Sequence, residues 1–243
     1  MKLQKLVLFF CLSLLTISII AFTFVDNKTD NKIISYIVDS KTSNIEMFWK
    51  DDKGEIINTI KNLKKFVESK NSELIFAMNG GMYNNDFSPQ GLFIQNKKTI
   101  SPIDTTSGKG NFYLKPNGIF FISTENIAGI CTTNDFQESD KIKFATQSGP
   151  MLVIDGKIHE VFKKGSKNLN IRNGVGILPN KKIVFAMSKQ EINFYDFAMY
   201  FKLLGCKNAL YLDGFVSRRY LPEKKWIQTD GNFGVIIGVT KKK

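Results

Sequence analysis

Histidine and cysteine are scarce in this sequence. Its 243 residues include one histidine, His159, and three cysteines, Cys11, Cys131 and Cys206. The cysteines lie far apart and form no Cys-x-x-Cys pair, which all but excludes a zinc site built from Cys and His. A Cys131–Cys206 disulfide is open if the protein is exported, although two buried free thiols are the simpler expectation. His159, beside Glu160 near a predicted turn, is expected at the surface.

Acidic residues are also few relative to basic ones. The chain has 22 Asp and Glu against 34 Lys and Arg, a formal net charge of +12. Its lysines are scattered through turns and polar faces, without the stripe or interleaved aromatics of a nucleic-acid binder, so no nucleic-acid partner is predicted. A solvated basic surface is favoured, and loose attraction to an anionic membrane or polymer is the second possibility.

The longest apolar run lies at the N-terminus. Lys2 and Lys5 precede an uncharged stretch from Leu6 to Val25, and polar residues follow. About 20 apolar residues suffice to span a bilayer, and no clean small-x-small cleavage site is visible near the end of the run. Residues 1–25 are therefore predicted to be a signal peptide or a signal anchor, and 26–31 a linker. Either reading predicts an exported protein, in the periplasm or cell envelope, membrane-anchored or secreted, and an uncleaved segment would hold it to the membrane.

Residues 32–240 are predicted to form a single domain. Strand-length apolar runs dominate, with Gly, Asn or Pro between many of them. Runs 33–38 and 45–49 indicate a hairpin, and 111–115 indicates a further strand. Helical spacing appears in 55–70 and again between a cap at Asn193 and a stop at Gly205. The prediction is an α+β class fold, one sheet-rich mixed domain with two principal helices packed on the sheet.

Four polar stretches interrupt this core pattern, each with a glycine and each beside a predicted strand. Loops are built in this way when their backbone must meet a ligand while the sheet holds the side chains. Any one of them alone is more often a turn, and Asp213-Gly214 after the apolar run 209–212 is an example. Their joint occurrence is the signal. The stretches are 79–86, 147–150, 172–176 and 213–219.

Motifs within these stretches resemble the phosphodiester glycosidase domain family, in particular its bacterial branch once grouped as a domain of unknown function. The resemblance runs from about Ile33 to Val239. Its carriers are Ala-Met-Asn-Gly-Gly-Met-Tyr at 77–83, Ser-Pro-Gln-Gly-Leu at 88–92, Gln-Ser-Gly-Pro-Met-Leu at 147–152, Arg-Asn-Gly at 172–174 and the run ending in Leu-Asp-Gly at 212–214. It implies a hydrolase that cleaves a glycosyl group from a sugar-1-phosphodiester on an envelope or extracellular glycan.

The resemblance also implies roles for individual residues. Asp213 would be the principal carboxylate, acting as base or nucleophile, Arg172 would hold the phosphate, and Asn79 would line the site. A second acid, if one is needed, is sought at Asp86 or Asp196, although a loop-stabilising role for Asp86 and an outer helix face for Asp196 compete with this. The implied substrate-binding residues are Gly80, Gly81, Tyr83, Asp86, Gln147, Ser148, Gly149, Gly214, Ser217 and Arg218.

Two limits accompany the resemblance. Relatives of the uncovering-enzyme type continue Asp-Gly with further glycines and Ser-Thr, whereas this chain has Phe215 to Arg219, so the identity of the substrate does not transfer. No cofactor is predicted, no loop has the ligand spacing of a calcium motif, and a metal requirement stays open. The competing interpretations are a non-catalytic envelope module that binds a phosphorylated glycan and, more weakly, a structural surface protein.

Overall fold

A computed structural model describes residues 32–213 and 216–243 of the chain. Within these ranges there are two α-helices, α1 (Ile60–Ser69) and α2 (Phe194–Leu203), and three 3₁₀ turns, Asn111–Tyr113, Thr133–Asp135 and Pro222–Lys224. The strands are β1 (Ile33–Val38), β2 (Asn44–Phe48), β3 (Ser72–Asn79), β4 (Phe93–Gln95), β5 (Lys98–Ser101), β6 (Gly118–Ser123), β7 (Ala128–Thr132), β8 (Ile142–Ser148), β9 (Met151–Ile154), β10 (Lys157–Ile158), β11 (Asn173–Ile177), β12 (Ile183–Ser188), β13 (Ala209–Tyr211), β14 (Arg219–Leu221), β15 (Trp226–Ile227) and β16 (Ile236–Lys242).

The strands form three antiparallel sheets. The first has the order β1-β12-β11-β13-β9-β10, the second β15-β14-β3-β16-β2, and the third β5-β4-β8-β6-β7. The sheet-rich α+β fold with two helices is thus confirmed. The predicted signal segment and linker, with Cys11, lie outside the described residues.

One apolar core joins the three sheets. Phe76 of β3, Phe120 of β6 and Phe185 of β12 are fully buried and come one from each sheet. The rings of Phe76 and Phe185 stack with centroids 5.2 Å apart, and Phe120 meets Phe185 edge-on at 5.8 Å. Aromatic rings bury large areas and gain from both geometries, so this triad fixes the sheets against one another.

Each helix covers the outer face of one sheet. In α1, Ile60, Leu63 and Val67 recur at helical spacing and are buried in a cluster with residues of the second sheet. The helix begins at Ile60, later than predicted, because Ile56 instead forms a β-bridge with Lys50. Helix α2 packs on the first sheet and has the predicted ends: the Asn193 side chain accepts a hydrogen bond from the Asp196 N–H, and Gly205 adopts φ 78° just after the helix.

Three local predictions are wrong. Strands β1 and β2 do not form a hairpin, because β1 pairs with β12 in the first sheet and β2 with β16 in the second. Residues 111–115 contain a 3₁₀ turn where a strand was expected. His159 is buried, with 3 % of its surface exposed, because its Nε2 lies 3.1 Å from the Lys115 carbonyl oxygen and its ring packs beside Phe162.

Both cysteines in the described ranges are free thiols. Burial raises the pKa of Cys206 to about 12 and, helped by Asp135, that of Cys131 to about 11. Neither helix in the described part of the chain has the length and apolar character needed to cross a bilayer.

Candidate functional site

Four strand ends meet at one edge of the molecule. Asn79 ends β3, Ser148 ends β8, Asn173 begins β11, and Asp213 lies two residues beyond the end of β13. β11 and β13 are antiparallel neighbours, so the start of one and the end of the other fall at the same edge. The connection from β8 to β9 crosses from the third sheet to the first at this point. The four polar stretches therefore converge in the fold, which their joint occurrence in the sequence could not show.

A pair of fully buried asparagines, Asn79 and Asn173, ties these ends together. We call them the asparagine bridge. The Asn173 Nδ2 donates to Asn79 Oδ1 at 2.7 Å, and Asn173 Oδ1 accepts the Asp213 backbone N–H at 2.8 Å. Asn79 Oδ1 also accepts the Arg218 N–H at 3.1 Å. The bridge therefore fixes the backbone on both sides of the stretch 213–218.

Ser148 supports the same backbone from the third sheet. Its hydroxyl, which is fully buried, donates to the Leu212 carbonyl oxygen at 2.6 Å. Asp213 is then held by its own N–H and by the carbonyl of the preceding residue, while the residue itself is only half-buried. One donor of the asparagine bridge stays unused: Asn79 Nδ2 is buried and has no hydrogen-bond partner among the described residues.

Two tyrosines lie within electrostatic reach of the Asp213 carboxylate. Burial raises the pKa of Tyr211, and Asp213 adds to this effect. Tyr83 behaves in the same way, with burial again the larger cause of its raised pKa. Its hydroxyl donates to the Asn232 carbonyl oxygen at 2.5 Å. Both phenols therefore stay protonated at neutral pH beside a carboxylate.

Arg172 lies behind Tyr211, on the face of the first sheet that α2 covers. Its Nε donates to the Ile192 carbonyl oxygen at 2.8 Å, and Nη2 donates to that of Asn168 at 2.9 Å. The guanidinium carbon stands 3.5 Å above the centre of the Phe194 ring. The residue has no exposed surface, and burial lowers its pKa while Tyr211 acts in the opposite direction. In this structure Arg172 therefore contacts no solvent, and its guanidinium carbon lies 5.6 Å from the centre of the Tyr211 ring.

Four implied binding residues face the packed interior. A Cβ on Gly80 would stand 2.6 Å from Ile237 Cγ1, and one on Gly81 would stand 2.6 Å from Thr146 Oγ1. Gly149 packs in the same way against Asn117. Gln147 is buried, and its amide is saturated by Leu92, Asp104 and Thr133. These residues shape the loops from inside.

The other implied binding residues divide between the edge and the surface. Ser217 is buried and donates to the Asp213 carbonyl oxygen at 2.8 Å, while the partly exposed Arg218 pairs with Asp230 at 2.9 Å. Asp86 is exposed, and its pKa is lowered because Ser88 donates two hydrogen bonds to it. Gly214, like Phe215, lies outside the described residues.

The second-acid candidates both have local roles. Asp86 closes a turn with Ser88 in the stretch 79–86. Asp196 lies on the exposed side of α2, where its carboxylate accepts a hydrogen bond from the Asn193 amide at 2.9 Å. Asp86 thus stabilises its loop and Asp196 lies on the outer face of its helix, which are the alternatives to acid catalysis given for them from the sequence.

Two residues of the site were absent from the sequence-based set, Asn173 and Tyr211. Each had a signal. Asn173 stands inside the Arg-Asn-Gly motif, and Tyr211 precedes Asp213 by two positions, which places both on one face of an extended chain.

The cavities near and far from this edge differ in character. A shallow depression of about 510 Å³ lies beside it, lined by Tyr83, Asn84, Asn85, Asp86 and Ser88. A larger one of about 810 Å³ lies at the opposite end of the first sheet, where Asp39, Leu178 and Asn208 are among its walls. Because the convergent polar groups lie at the other end, we place the candidate site by its chemistry and not by cavity size.

The fold and these motifs define a class. The chain belongs to the phosphodiester glycosidase family, whose sequence profile matches residues 72–235, a range that holds all four converging strand ends. Among curated proteins it is similar to the uncharacterised protein YigE of Escherichia coli K12, with 36 % identity over 188 residues, covering 77 % of this chain and 73 % of the relative.

Solved structures share the fold at low sequence identity. The catalytic domain of zebrafish N-acetylglucosamine-1-phosphodiester α-N-acetylglucosaminidase, auto-inhibited by its pro-peptide, matches with a TM-score of 0.54 and 13 % identity, covering 86 % of this chain and 88 % of that one. A hypothetical protein from Synechocystis matches with a TM-score of 0.55 and 13 % identity, over 86 % of this chain and 59 % of that one. A Burkholderia pseudomallei protein matches with a TM-score of 0.54 and 9 % identity, over 85 % of this chain and 73 % of that one.

Proposed function

We propose that this protein is an exported hydrolase that removes a glycosyl group from a sugar-1-phosphodiester on an envelope or extracellular glycan. The observation that carries the proposal is the placement of Asp213. Its main chain is fixed by Asn173, and its carboxylate belongs to a half-buried residue at the edge where four loops meet. Membership of the phosphodiester glycosidase family supports the reaction class.

In the proposed reaction the bond between the anomeric carbon and the phosphate oxygen breaks. Asp213 acts either as a base, taking a proton from the attacking water, or as a nucleophile whose glycosyl ester water then cleaves. The electron pair of the broken bond leaves with the phosphate, which remains on its carrier as a monoester. Phosphate is a good leaving group, so a strong general acid is less necessary than in most glycosidases.

The surrounding groups would stabilise the charge that develops on the leaving phosphate. Tyr83 would turn its hydroxyl hydrogen from the Asn232 carbonyl oxygen to the phosphate, and the buried Tyr211 hydroxyl and Asn79 Nδ2 would act from behind it as oriented dipoles. Arg172 would act from behind Tyr211, its positive charge favouring negative charge on the phosphate. Fixed donors and charges in a water-poor site stabilise a transition state more strongly than they would in water.

The test is a turnover assay on glycosyl-1-phosphodiesters, beginning with an N-acetylglucosamine-1-phosphodiester because the zebrafish protein is named for that linkage. Asp213→Asn should lower the rate of sugar release by roughly 10³-fold or more, with an unchanged unfolding midpoint. Asp155→Asn is the matched control, an exposed aspartate paired with Lys207, and should retain full activity.

Two outcomes would overturn this function. Unchanged turnover in Asp213→Asn would remove Asp213 from the chemistry. Tight binding of the phosphodiester by the wild-type protein without any sugar release would instead favour a non-catalytic module that binds a phosphorylated glycan on the same loops.

A further inference from the structure

The described chain enters the fold beside the candidate site. The Lys32 carbonyl oxygen accepts the Lys189 N–H at 2.8 Å, and Ile33 pairs with Ser188 at the end of β12. The Ser188 hydroxyl in turn accepts the Arg172 N–H at 2.9 Å. The residues that precede Lys32 are thus attached at the same edge of the first sheet as Asp213.

The length of the predicted linker limits how far this edge can lie from the apolar segment. Residues 26–31 separate Val25 from Lys32, and six extended residues reach about 20 Å at most. If the segment Leu6 to Val25 sits in a bilayer, the edge that carries the candidate site lies close to the membrane surface.

A basic loop lies at the same edge. We use this name for residues 161–171, between β10 and β11. Lys163, Lys164 and Lys167 are exposed, and none of them forms an ion pair with another described residue. On either side of the three lysines, Val161 and Leu169 each expose 46 % of their surface. Three unpaired positive charges and two exposed aliphatic side chains thus share one short loop.

The basic loop is fixed to the site by stacking and hydrogen bonds. The Phe162 ring stacks on that of Phe194 with centroids 4.8 Å apart, and Phe194 in turn lies beneath the Arg172 guanidinium. Arg172 also donates to the Asn168 carbonyl oxygen. A surface that docks through this loop would therefore lie at a set orientation to Arg172 and Tyr211.

We propose that the basic loop docks onto an anionic lipid bilayer, so that the edge carrying Asp213 faces the membrane. Lysines near an anionic surface are attracted to it, while the aliphatic side chains enter the headgroup region. A soluble anionic polymer would match the lysines but would leave Val161 and Leu169 in water. The substrate of the proposed function would then be a glycosyl phosphodiester carried on a lipid, a statement that rests on that function.

The docking is tested with the full chain reconstituted in vesicles. A fluorophore is attached at Leu169→Cys, in a background with Cys11 and Cys131 replaced by alanine, and is quenched by lipids that carry a nitroxide on the acyl chain. Ile127→Cys is the matched position. It is 51 % exposed and lies at the far end of the third sheet, since Ile122 pairs with Ala128 there while Gly118 pairs with Ser148 at the site edge.

We expect strong quenching at position 169 and little at 127, in vesicles of phosphatidylcholine with phosphatidylglycerol. Replacing Lys163, Lys164 and Lys167 by glutamine should weaken the docked state about 100-fold, at roughly tenfold or less per charge. The same change at Lys241, Lys242 and Lys243 should leave the docked state intact, because Lys242 pairs with Ser72 at the end of β3 opposite Asn79.

Equal quenching at 169 and 127, or quenching that does not depend on phosphatidylglycerol, would overturn the proposal. Binding of a soluble anionic polymer without quenching at 169 would do so as well.

The substrate class is tested on the same vesicles with a lipid-linked and a water-soluble glycosyl phosphodiester. We expect the lipid-linked substrate to be cleaved faster, and the advantage to disappear in the Lys163, Lys164 and Lys167 variant while cleavage of the soluble substrate is unchanged. Quenching at 169 without turnover of either substrate would leave docking supported and the hydrolase function rejected. Turnover of both at equal rates would support the function and reject the lipid substrate.

Discussion

At the residue scale, two neutral amides hold the main chain of the candidate site. Asn79 and Asn173 are fully buried, and each donates or accepts within a small network that reaches Asp213 and Arg218. An amide can do both without the cost of burying a charge. The asparagine bridge therefore positions a carboxylate without neutralising it, as a base or nucleophile requires.

Asn173→Ala tests this role. The change leaves the Asp213 N–H without its acceptor and Asn79 with one bond fewer, so we expect the free energy of unfolding to fall by about 2 kcal/mol. Turnover should fall further than stability alone explains, because Asp213 loses its fixed position. Denaturant titration and the sugar-release assay measure the two effects.

The matched control for this change is Asn180→Ala. Asn180 accepts the Lys182 N–H in an exposed turn far from the site, and its loss should cost less than about 0.5 kcal/mol. If Asn173→Ala were no more damaging than Asn180→Ala, the asparagine bridge would have no structural importance.

At the scale of elements, helix α2 supports the back of the site. Its first residue, Phe194, carries the Arg172 guanidinium on one side and the Phe162 ring on the other. The Asn193 cap, with Asp196, fixes the turn from which Phe194 projects. The Asn193 cap, the Phe194 ring and the basic loop are therefore connected by direct contacts.

Asn193→Ala should cost about 1 kcal/mol of stability, the usual price of a lost N-cap. It should also lower turnover by loosening Phe194 beneath Arg172. Asn193→Ser keeps a side-chain acceptor for the Asp196 N–H without placing a second carboxylate beside that of Asp196, and it should retain more stability than alanine. If the alanine variant had the higher thermal unfolding midpoint of the two, the cap would not support the Phe194 ring.

At the scale of elements, local sequence pattern predicted a helix correctly and a strand pairing incorrectly. Helix α2 was predicted at both ends because its cap, apolar spacing and Gly205 are all local signals. The prediction of a β1–β2 hairpin was wrong because a polar turn of this length can join two strands that pair with each other or two strands that pair with other strands. The real partners, β12 and β16, lie more than a hundred residues away in sequence, and burial of both strands in the shared core selects them.

At the scale of the whole molecule, Arg219 joins two sheets. It extends from β14 in the second sheet, is fully buried, and its Nη1 donates to the Ile34 carbonyl oxygen of β1 in the first. Its guanidinium carbon lies 5.3 Å from the centre of the Phe76 ring. Arg219 has no carboxylate partner among residues 32–213 and 216–243, and a buried charge without one is costly in itself. Most of what this side chain contributes to stability should therefore come from the packing of its stem.

Arg219→Ala should therefore lower the free energy of unfolding by about 3 kcal/mol through the cavity it leaves between the sheets. Arg219→Met, which keeps the length of the stem, should recover most of this loss. Arg218→Ala is the neighbouring control, and its exposed ion pair with Asp230 should contribute under about 1 kcal/mol. Equal losses for Ala and Met at position 219 would instead assign the effect to the guanidinium.

The sequence by itself determined the class of fold, the strand ends where polar residues lie, and the four loops of the candidate site. These features follow from spacing and residue type within a few positions of the chain. The tertiary structure alone decided which side of a sheet each group faces. It turned Arg172 toward Phe194 and Tyr211, made Asn173 the partner of Asp213, and buried His159. Such choices depend on strands distant in sequence competing for one core, and no local pattern encodes the result.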